Sequence, residues 1–491
     1  MRPAARFSGP ALCALPARDV VALLRRGEVT PDEAIAASEA RVAQVEPDVN
    51  AVVTTCFDRA RERAGSLASE NAALAGWLAG LPVGIKDLQA VAGVRSTWGN
   101  EALRDFVPGQ SDPLVELLES RGAVVVGKTN TPEFGLGSHT FNPVHGATGN
   151  AYDPGRSAGG SSGGAAVALA TGEVWLAHGS DHGGSLRKPG SFCSVVGLRP
   201  SPGRVTRGTA GNLFSPSSVE GPMARDVPDL ALFLDAISGR DPYDPLTLHP
   251  PAESFFASTM AALARGRTGL AGKRIGFTLD YGGTVPVARA VRQVTEKATL
   301  GLADLGCAVE EAFPALGGIA EAFQILRAQI FVTNRHKEMA HHRDQLKPDI
   351  LWNTEKGLAQ SPEQIGWAER ERAAFYGRVV DFFETYDFLA CPVVNVPPFD
   401  VDLRYVDTVD GVKIENYIAG SLTTSAISMT ACPAISVPAG FDDFGRPIGL
   451  QLVGPPQDEA GLLALAAVFE EATGLAKLLP IDPRAGEVPP I

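Results

Sequence analysis

Two serines, Ser161 and Ser185, stand 24 positions apart in one glycine-rich run, and Lys86 lies upstream of both. The run opens Gly159-Gly160-Ser161-Ser162-Gly163-Gly164 and continues to Ser180-Asp181-His182-Gly183-Gly184-Ser185. A serine hydroxyl is a poor nucleophile until a neighbour takes its proton. A second serine and a lysine can do this without histidine or metal. Gly183 and Gly184 leave backbone N–H groups uncovered beside Ser185, as stabilising an oxyanion requires. Lysine is a base only when neutral. From an ordinary pKa of ~10.4 the neutral fraction at pH 7 is on the order of 10⁻³ to 10⁻⁴. Burial must therefore lower it, and the apolar run Leu81 to Ile85 leads directly into Lys86.

Two further motifs compete for the chemistry. Gly122 to Thr129 satisfies the phosphate-loop pattern G-x-x-x-x-G-K-T. A phosphate cradle needs an irregular loop in the middle, whereas Ala123-Val124-Val125-Val126 reads as a strand whose N–H groups belong to a sheet. Lys128 then neutralises a neighbour at the strand end. Gly160 to Gly164 satisfies the G-x-S-x-G elbow, but that elbow follows a buried strand, and Asn150 to Ala158 reads as loop. His249, His336, His341 and His342 stand in no pattern that would supply its histidine.

The elements that must hold these residues alternate between strand and helix. Asp19 to Arg26 reads as a helix ended by Gly27. Thr30-Pro31-Asp32-Glu33 opens a second helix with a capping box. Leu81–Lys86, Ala123–Val126 and Val195–Leu198 read as strands, and Pro113–Arg121 and Ala165–Ala170 as helices. This rhythm implies a mixed or mostly parallel sheet covered by helices. After a Pro- and Asp-rich connector around residues 239–251, Lys273–Phe277 resumes as strand. Pro286–Leu305 reads as a long helix with proline at its first position and Gly306 beyond its end. Residues 318–385 are expected to be mainly helical, and Phe388–Pro392 and Ala434–Pro438 to be strands.

Composition narrows the class. The chain has 491 residues, 45% of them hydrophobic, and a net charge of −13, which argues against nucleic acid or an anionic membrane as partner. Its six cysteines are scattered without a CxxC pair, so neither metal nor disulfide is expected. The N-terminal stretch after Arg2 and Arg6 is short and broken by prolines, and no segment approaches the ~20 apolar residues that span a bilayer. The expected location is cytoplasmic.

The stretch from Arg156 to Pro200 resembles the signature of the amidase signature family, with Val196-Gly197-Leu198-Arg199-Pro200 closing it. Leu81-Pro82-Val83-Gly84-Ile85-Lys86-Asp87, Val126 to Phe134, Pro433 to Pro438 and Pro447 to Gly454 are similar to further shared blocks, so the resemblance covers nearly the whole chain. It implies an α/β fold with a large mixed sheet of about eleven strands, helices on both faces, and one domain over residues 1–491. Within it the resemblance gives N-terminal helices (1–70), the signature core (71–240), a variable helical substrate side (241–385) and a C-terminal part of the sheet (386–491). It implies Ser185 as nucleophile, Ser161, not Ser162, as bridging serine after a cis peptide, and Lys86 as base. His182, Gly183, Gly184 and Ser185 are implied as oxyanion donors.

Lys188 is a rival base, read as a charge near the pocket. Asp87 and Asp181 are expected to bond backbone, and Arg187 to be structural. The long loop Ser138–Asp153, with the neighbouring Gly137, is expected to help set specificity through Gly137, Ser138, His139 and Phe141, together with residues 316–385. Ser180, His182 and Lys188-Pro189-Gly190 depart from the commonest family form, which bears on substrate more than on chemistry. The expected protein is a cofactor-free amidohydrolase, monomer or homodimer, acting on a small amide. Alternatives are a carbamate (urethane) or aryl-acylamide substrate, or the amidase-type subunit of a glutamine-dependent tRNA amidotransferase.

Overall fold

The computed structural model describes residues 7–67, 73–208 and 212–484; Arg2 and Arg6 lie outside them. An 11-stranded mixed sheet organises the fold. In chain order its strands are β1 (Val52–Thr55), β2 (Pro82–Lys86), β3 (Val124–Thr129), β4 (Leu176–Asp181), β5 (Val196–Arg199), β6 (Val219–Ala224), β7 (Arg274–Phe277), β8 (Ala308–Glu311), β9 (Phe388–Pro392), β10 (Ala434–Phe441) and β11 (Pro447–Val453). Across the sheet the order is β1-β3-β2-β4-β6-β5-β10-β11-β9-β7-β8. β3, β2 and β4 run parallel to one another, as do β9, β7 and β8, and the strands between them pair antiparallel.

The central strands read as continuous apolar runs because both faces are covered. Val125 packs into one apolar core and its neighbours Val124 and Val126 into another, the alternation expected of side chains that point to opposite faces. The all-buried helix Val227–Ile237 belongs to the first core and Gly163–Thr171 to the second.

Most elements fall where the sequence puts them. The capping box forms, with Glu33 N–H donating to Thr30 Oγ1 at 3.2 Å and Thr30 N–H donating to the Glu33 carboxylate at 2.7 Å. Gly27 ends the preceding helix, Ala17–Arg26, at φ +68°. Gly122–Thr129 is no phosphate loop, since β3 runs through it. Two expectations are corrected. Asn150–Ala158 is not all loop, because Gly149–Asn150 pairs with Asp153–Ser157 in a small hairpin. The helix expected from Pro286 starts at Arg289, because Val285 and Val287 are drawn into a core and Ala288 N–H bonds Asn395 O, holding this stretch extended. Residues 319–383 are mainly helical, but 241–385 also supplies β7 and the edge strand β8. No helix of the described residues is long and apolar enough to cross a membrane.

Candidate active site

The parallel strands β2 and β4 deliver their C-terminal ends to one cleft, the usual place for chemistry in such sheets. Lys86 is the last residue of β2 and is wholly buried. Its Nζ lies 2.8 Å from Ser161 Oγ, 2.9 Å from Ser162 Oγ and 3.0 Å from Ser180 Oγ. Three oxygens satisfy an ammonium completely; a neutral amine donates two hydrogens and accepts one. The Ser162 hydroxyl donates to Ser180 O, at 3.4 Å, which leaves the Ser161 and Ser180 hydroxyls able to donate to a lysine lone pair. Burial lowers the Lys86 pKa from 10.5 to about 7, against the pull of Glu220 and Asp181 towards the charged form.

Ser161 and Ser162 precede the helix Gly163–Thr171, and the Gly160–Ser161 peptide is cis. Ser185 sits in the turn between β4 and the helix Arg187–Cys193. Asp181, the last residue of β4, holds that turn. Its carboxylate accepts from Gly184 N–H at 2.8 Å, Leu186 N–H at 3.1 Å, and Arg187 Nη2 and Nε at 2.9 and 3.0 Å. Burial alone would raise this carboxyl, but the guanidiniums of Arg187 and Arg199 outweigh it and hold Asp181 well below the usual carboxylate range. Gly184 has φ +109°, and a Cβ there would stand 2.3 Å from Thr424 Oγ1. Only glycine lets the turn pass so close.

Among the described residues the N–H groups of His182, Gly183 and Ser185 meet no protein acceptor, whereas Gly184, expected as a fourth oxyanion donor, is engaged by Asp181. Ser161 and Ser185 line one cavity without a hydrogen bond between their hydroxyls. Asp87 bonds Thr97 N–H and Lys128 Nζ, the latter at 2.9 Å, as the strand-end reading requires. Arg187 is buried and tied to Asp181, Gln451 and Ser428.

Two spaces meet at Ser185. The larger, about 560 Å³, is lined by Ser161, Ser180 and Glu220 and by an aromatic wall of Trp98, Phe106 and Phe134. Trp98 and Phe106 pack at 5.6 Å, and the Arg335 guanidinium lies 4.2 Å over Phe134. The smaller, about 40 Å³, is lined by Gly137, Ser138, Lys188, Phe323, Arg327 and Ser421, among others. His182 borders both. Burial first, then the nearby Arg327 charge, keep its imidazole neutral. The structure thus brings Gly137 and Ser138 to the cleft but directs His139 into the protein. There His139 Nε2 meets Val401 O and Nδ1 meets Ser157 Oγ, each at 2.8 Å. Phe141 packs on that ring at 5.2 Å. Trp98, Phe106 and Ser421 carry no motif signal because they come from separate loops and helices, whereas Phe134 closes a shared block and Arg327 lies in the segment 316–385 expected on the substrate side. Ser180 carried one signal, its departure from the family pattern.

A sheet of this order, with a buried strand-end lysine against serines of a glycine-rich turn, defines the amidase signature class. The Amidase family model matches residues 33–463, and the chain belongs to that family. It is 35% identical over 489 residues to a glutamyl-tRNA(Gln) amidotransferase subunit of Synechococcus sp. (strain RCC307), covering 94% of this chain and 98% of that protein. Among solved structures it is similar to a bacterial aryl acylamidase of the amidase signature family, at TM-score 0.86 and 29% identity over 94% of this chain and 97% of that one. It is also similar to 6-aminohexanoate cyclic dimer hydrolase, at TM-score 0.85 and 26% identity over 95% and 99%.

Proposed function

We propose that this protein cleaves the C–N bond of an amide through an acyl-enzyme on Ser185. The observation that carries the reading is the buried, readily neutral Lys86 within hydrogen-bond reach of Ser161, in a cavity that Ser161 shares with Ser185. Ser185 Oγ attacks the carbonyl while its proton passes to Ser161, whose own proton moves to Lys86 Nζ. The N–H groups of His182, Gly183 and Ser185 receive the oxyanion. As the tetrahedral species collapses, the proton returns by the same path to the leaving nitrogen. Water, activated by the same base, then releases the acid. The aromatic cavity supports an aryl-bearing amide or carbamate as substrate.

A second reading has its own support. The curated relatives, at 31–35% identity, are glutamyl-tRNA(Gln) amidotransferase subunits, and their names back such a role more directly than a free-standing small-molecule amidase. The lysine–serine geometry suits either, since both begin with attack on an amide. A hydrolysis panel of aryl acylamides, carbamates, aliphatic amides and glutamine, run on the isolated chain and on the protein purified from its own cells with any partners, tests both. Turnover of small amides by the isolated chain supports the first reading. Glutamine turnover confined to a co-purified assembly supports the second. A Ser185→Ala variant that keeps full turnover removes both.

A further inference from the structure

We propose that the niche walled by Lys188 and Arg327 takes an acyl chain ending in a carboxylate, so that the preferred substrate is a half-amide of a small dicarboxylic acid whose amine part occupies the aromatic cavity. The inference rests on the acyl-enzyme reading above. Orientation comes first. The leaving nitrogen must collect its proton from Ser161, and Ser161 lines the aromatic cavity but not the niche. The amine therefore points to Trp98 and Phe134, and the acyl chain enters the niche.

The walls of the niche are cationic. Lys188 runs beneath Gly184, and its Nζ donates to Ser421 Oγ at 2.6 Å and Ser138 Oγ at 3.1 Å. That leaves its third hydrogen without a protein acceptor among the described residues. Arg327 donates to Tyr417 Oη at 3.1 Å, and its buried Nε has no partner. Lys347 Nζ, outside the lining, stands behind Gly137, within 3.8 Å of where a Cβ would be, and is already engaged by Leu136 O and Asp349. None of the lining residues carries a carboxylate, and the nearest acid facing Lys188, Asp181, is tied to Arg187. A carboxylate would complete these donors, whereas an ammonium on the acyl chain would meet only cations. At about 40 Å³ the niche holds about three waters' worth of space, enough for a carboxylate and a short methylene chain.

The state of Lys188 gives a second readout. Burial lowers it to about 7, with Asp181 opposing and Arg187 and Arg327 adding to the shift. An entering anion restores the ammonium, so binding above pH 7 takes up a proton.

Three probes share one anilide: succinanilic acid, its methyl ester, and N4-phenylasparagine, which adds an α-ammonium. Calorimetry on the Ser185→Ala protein reads the niche without turnover. The expected result is that succinanilic acid binds about ten- to hundredfold tighter than either control, the range of one or two charge-assisted hydrogen bonds. Proton uptake is expected at pH 8, to be lost in Ser185→Ala/Lys188→Met. In wild-type kinetics the ratio of kcat/KM for acid over ester should fall as pH rises through about 7, the Lys86 dependence cancelling in the ratio. Equal binding of acid and ester, or tighter binding of the ammonium probe, overturns the inference. Carboxylate-selective binding without hydrolysis of any anilide by wild type leaves the niche standing and overturns the anilide-cleaving reading.

Discussion

If the proposed mechanism holds, Lys86 sets the pH at which this chain can act. With an unshifted pKa, about three lysines in ten thousand would be neutral at pH 7; lowered to about 7, half are, a gain of about a thousandfold in usable base. The activity of wild type, as kcat/KM against a neutral amide, should therefore climb about tenfold per pH unit below 7 and level off above it. The limb belongs to the coupled serine–serine–lysine unit and not to lysine alone. Lys86→Arg keeps a cation that cannot accept a proton and should lose about 10²–10⁴-fold of the plateau. Glu220 stands opposite Ser180 in the β4–β6 ladder and favours the charged lysine. Glu220→Gln should move the limb to lower pH.

The same burial has a stability signature. The folded lysine releases its proton near 7 and the unfolded one near 10.5, so between these values the unfolded chain binds more protons and stability rises with pH. Relative to Lys86→Met, wild type should gain about 2–3 kcal/mol between pH 7 and 9, read from urea midpoints. The other buried lysines are common to both proteins and cancel. A profile peaking in acid, a near-normal Lys86→Arg enzyme, or a pH-independent stability gap would each refute the reasoning.

Ser161→Ala should approach Ser185→Ala in loss of turnover, while Ser162→Ala, whose hydroxyl is engaged by Ser180 O, should lose far less; single-turnover kinetics with mass spectrometry of the Ser185 adduct separates them. Asp181→Asn leaves two buried guanidiniums facing a neutral amide and should cost about 3–5 kcal/mol, measured by denaturant unfolding. Gly184→Ala should lower both melting temperature and turnover, because its Cβ meets Thr424 and Lys188 in a left-handed conformation. Trp98→Ala should raise KM for anilides more than for primary aliphatic amides, a contrast in Michaelis constants that a purely structural tryptophan would not produce.

What could be read from the sequence was what is local or glycine-bound. Thr30 and Glu33 cap a helix three residues apart, β2 and β3 are unbroken apolar runs, and the glycines around Ser161 and Ser185 announce a tight turn. The same logic removed the phosphate loop, whose Val124-Val125-Val126 is strand. It failed where tertiary packing decides. His139 looked like a cleft residue, but its ring finds two partners inside the protein. Pro286 looked like a helix start, yet the valines on either side of it are drawn into a core. The niche could be read only in pieces: Gly137, Ser138, Lys188 and the segment 316–385 were each expected near the substrate, but that they meet one another and Ser421 depends on the helix Ile319–Asn334 packing over the cleft.

Two buried lysines serve the two spaces that meet at Ser185, the proposed nucleophile, and their surroundings separate their uses. Both are lowered to about 7 by the same cause, loss of water. Lys86 is ringed by three serine hydroxyls, two of them (Ser161 and Ser180) on the cavity where the leaving nitrogen would sit, so its neutral form can take and return a proton. Lys188 touches Ser138 and Ser421 instead, on the far side of the Ser185 turn, with Arg327 nearby and no hydroxyl on the leaving-group side. A base there could not reach the departing amine, so its charge serves binding. The arrangement asks opposite things of one pH scale: Lys86 must lose its proton for chemistry, and Lys188 must keep or regain one for an anionic acyl chain. An anionic substrate meets both demands, because its negative charge raises the lysine that it touches more than the lysine across the nucleophile. For such a substrate the acid limb of activity should persist and affinity should weaken as pH rises above about 7, whereas a neutral amide should show the limb alone.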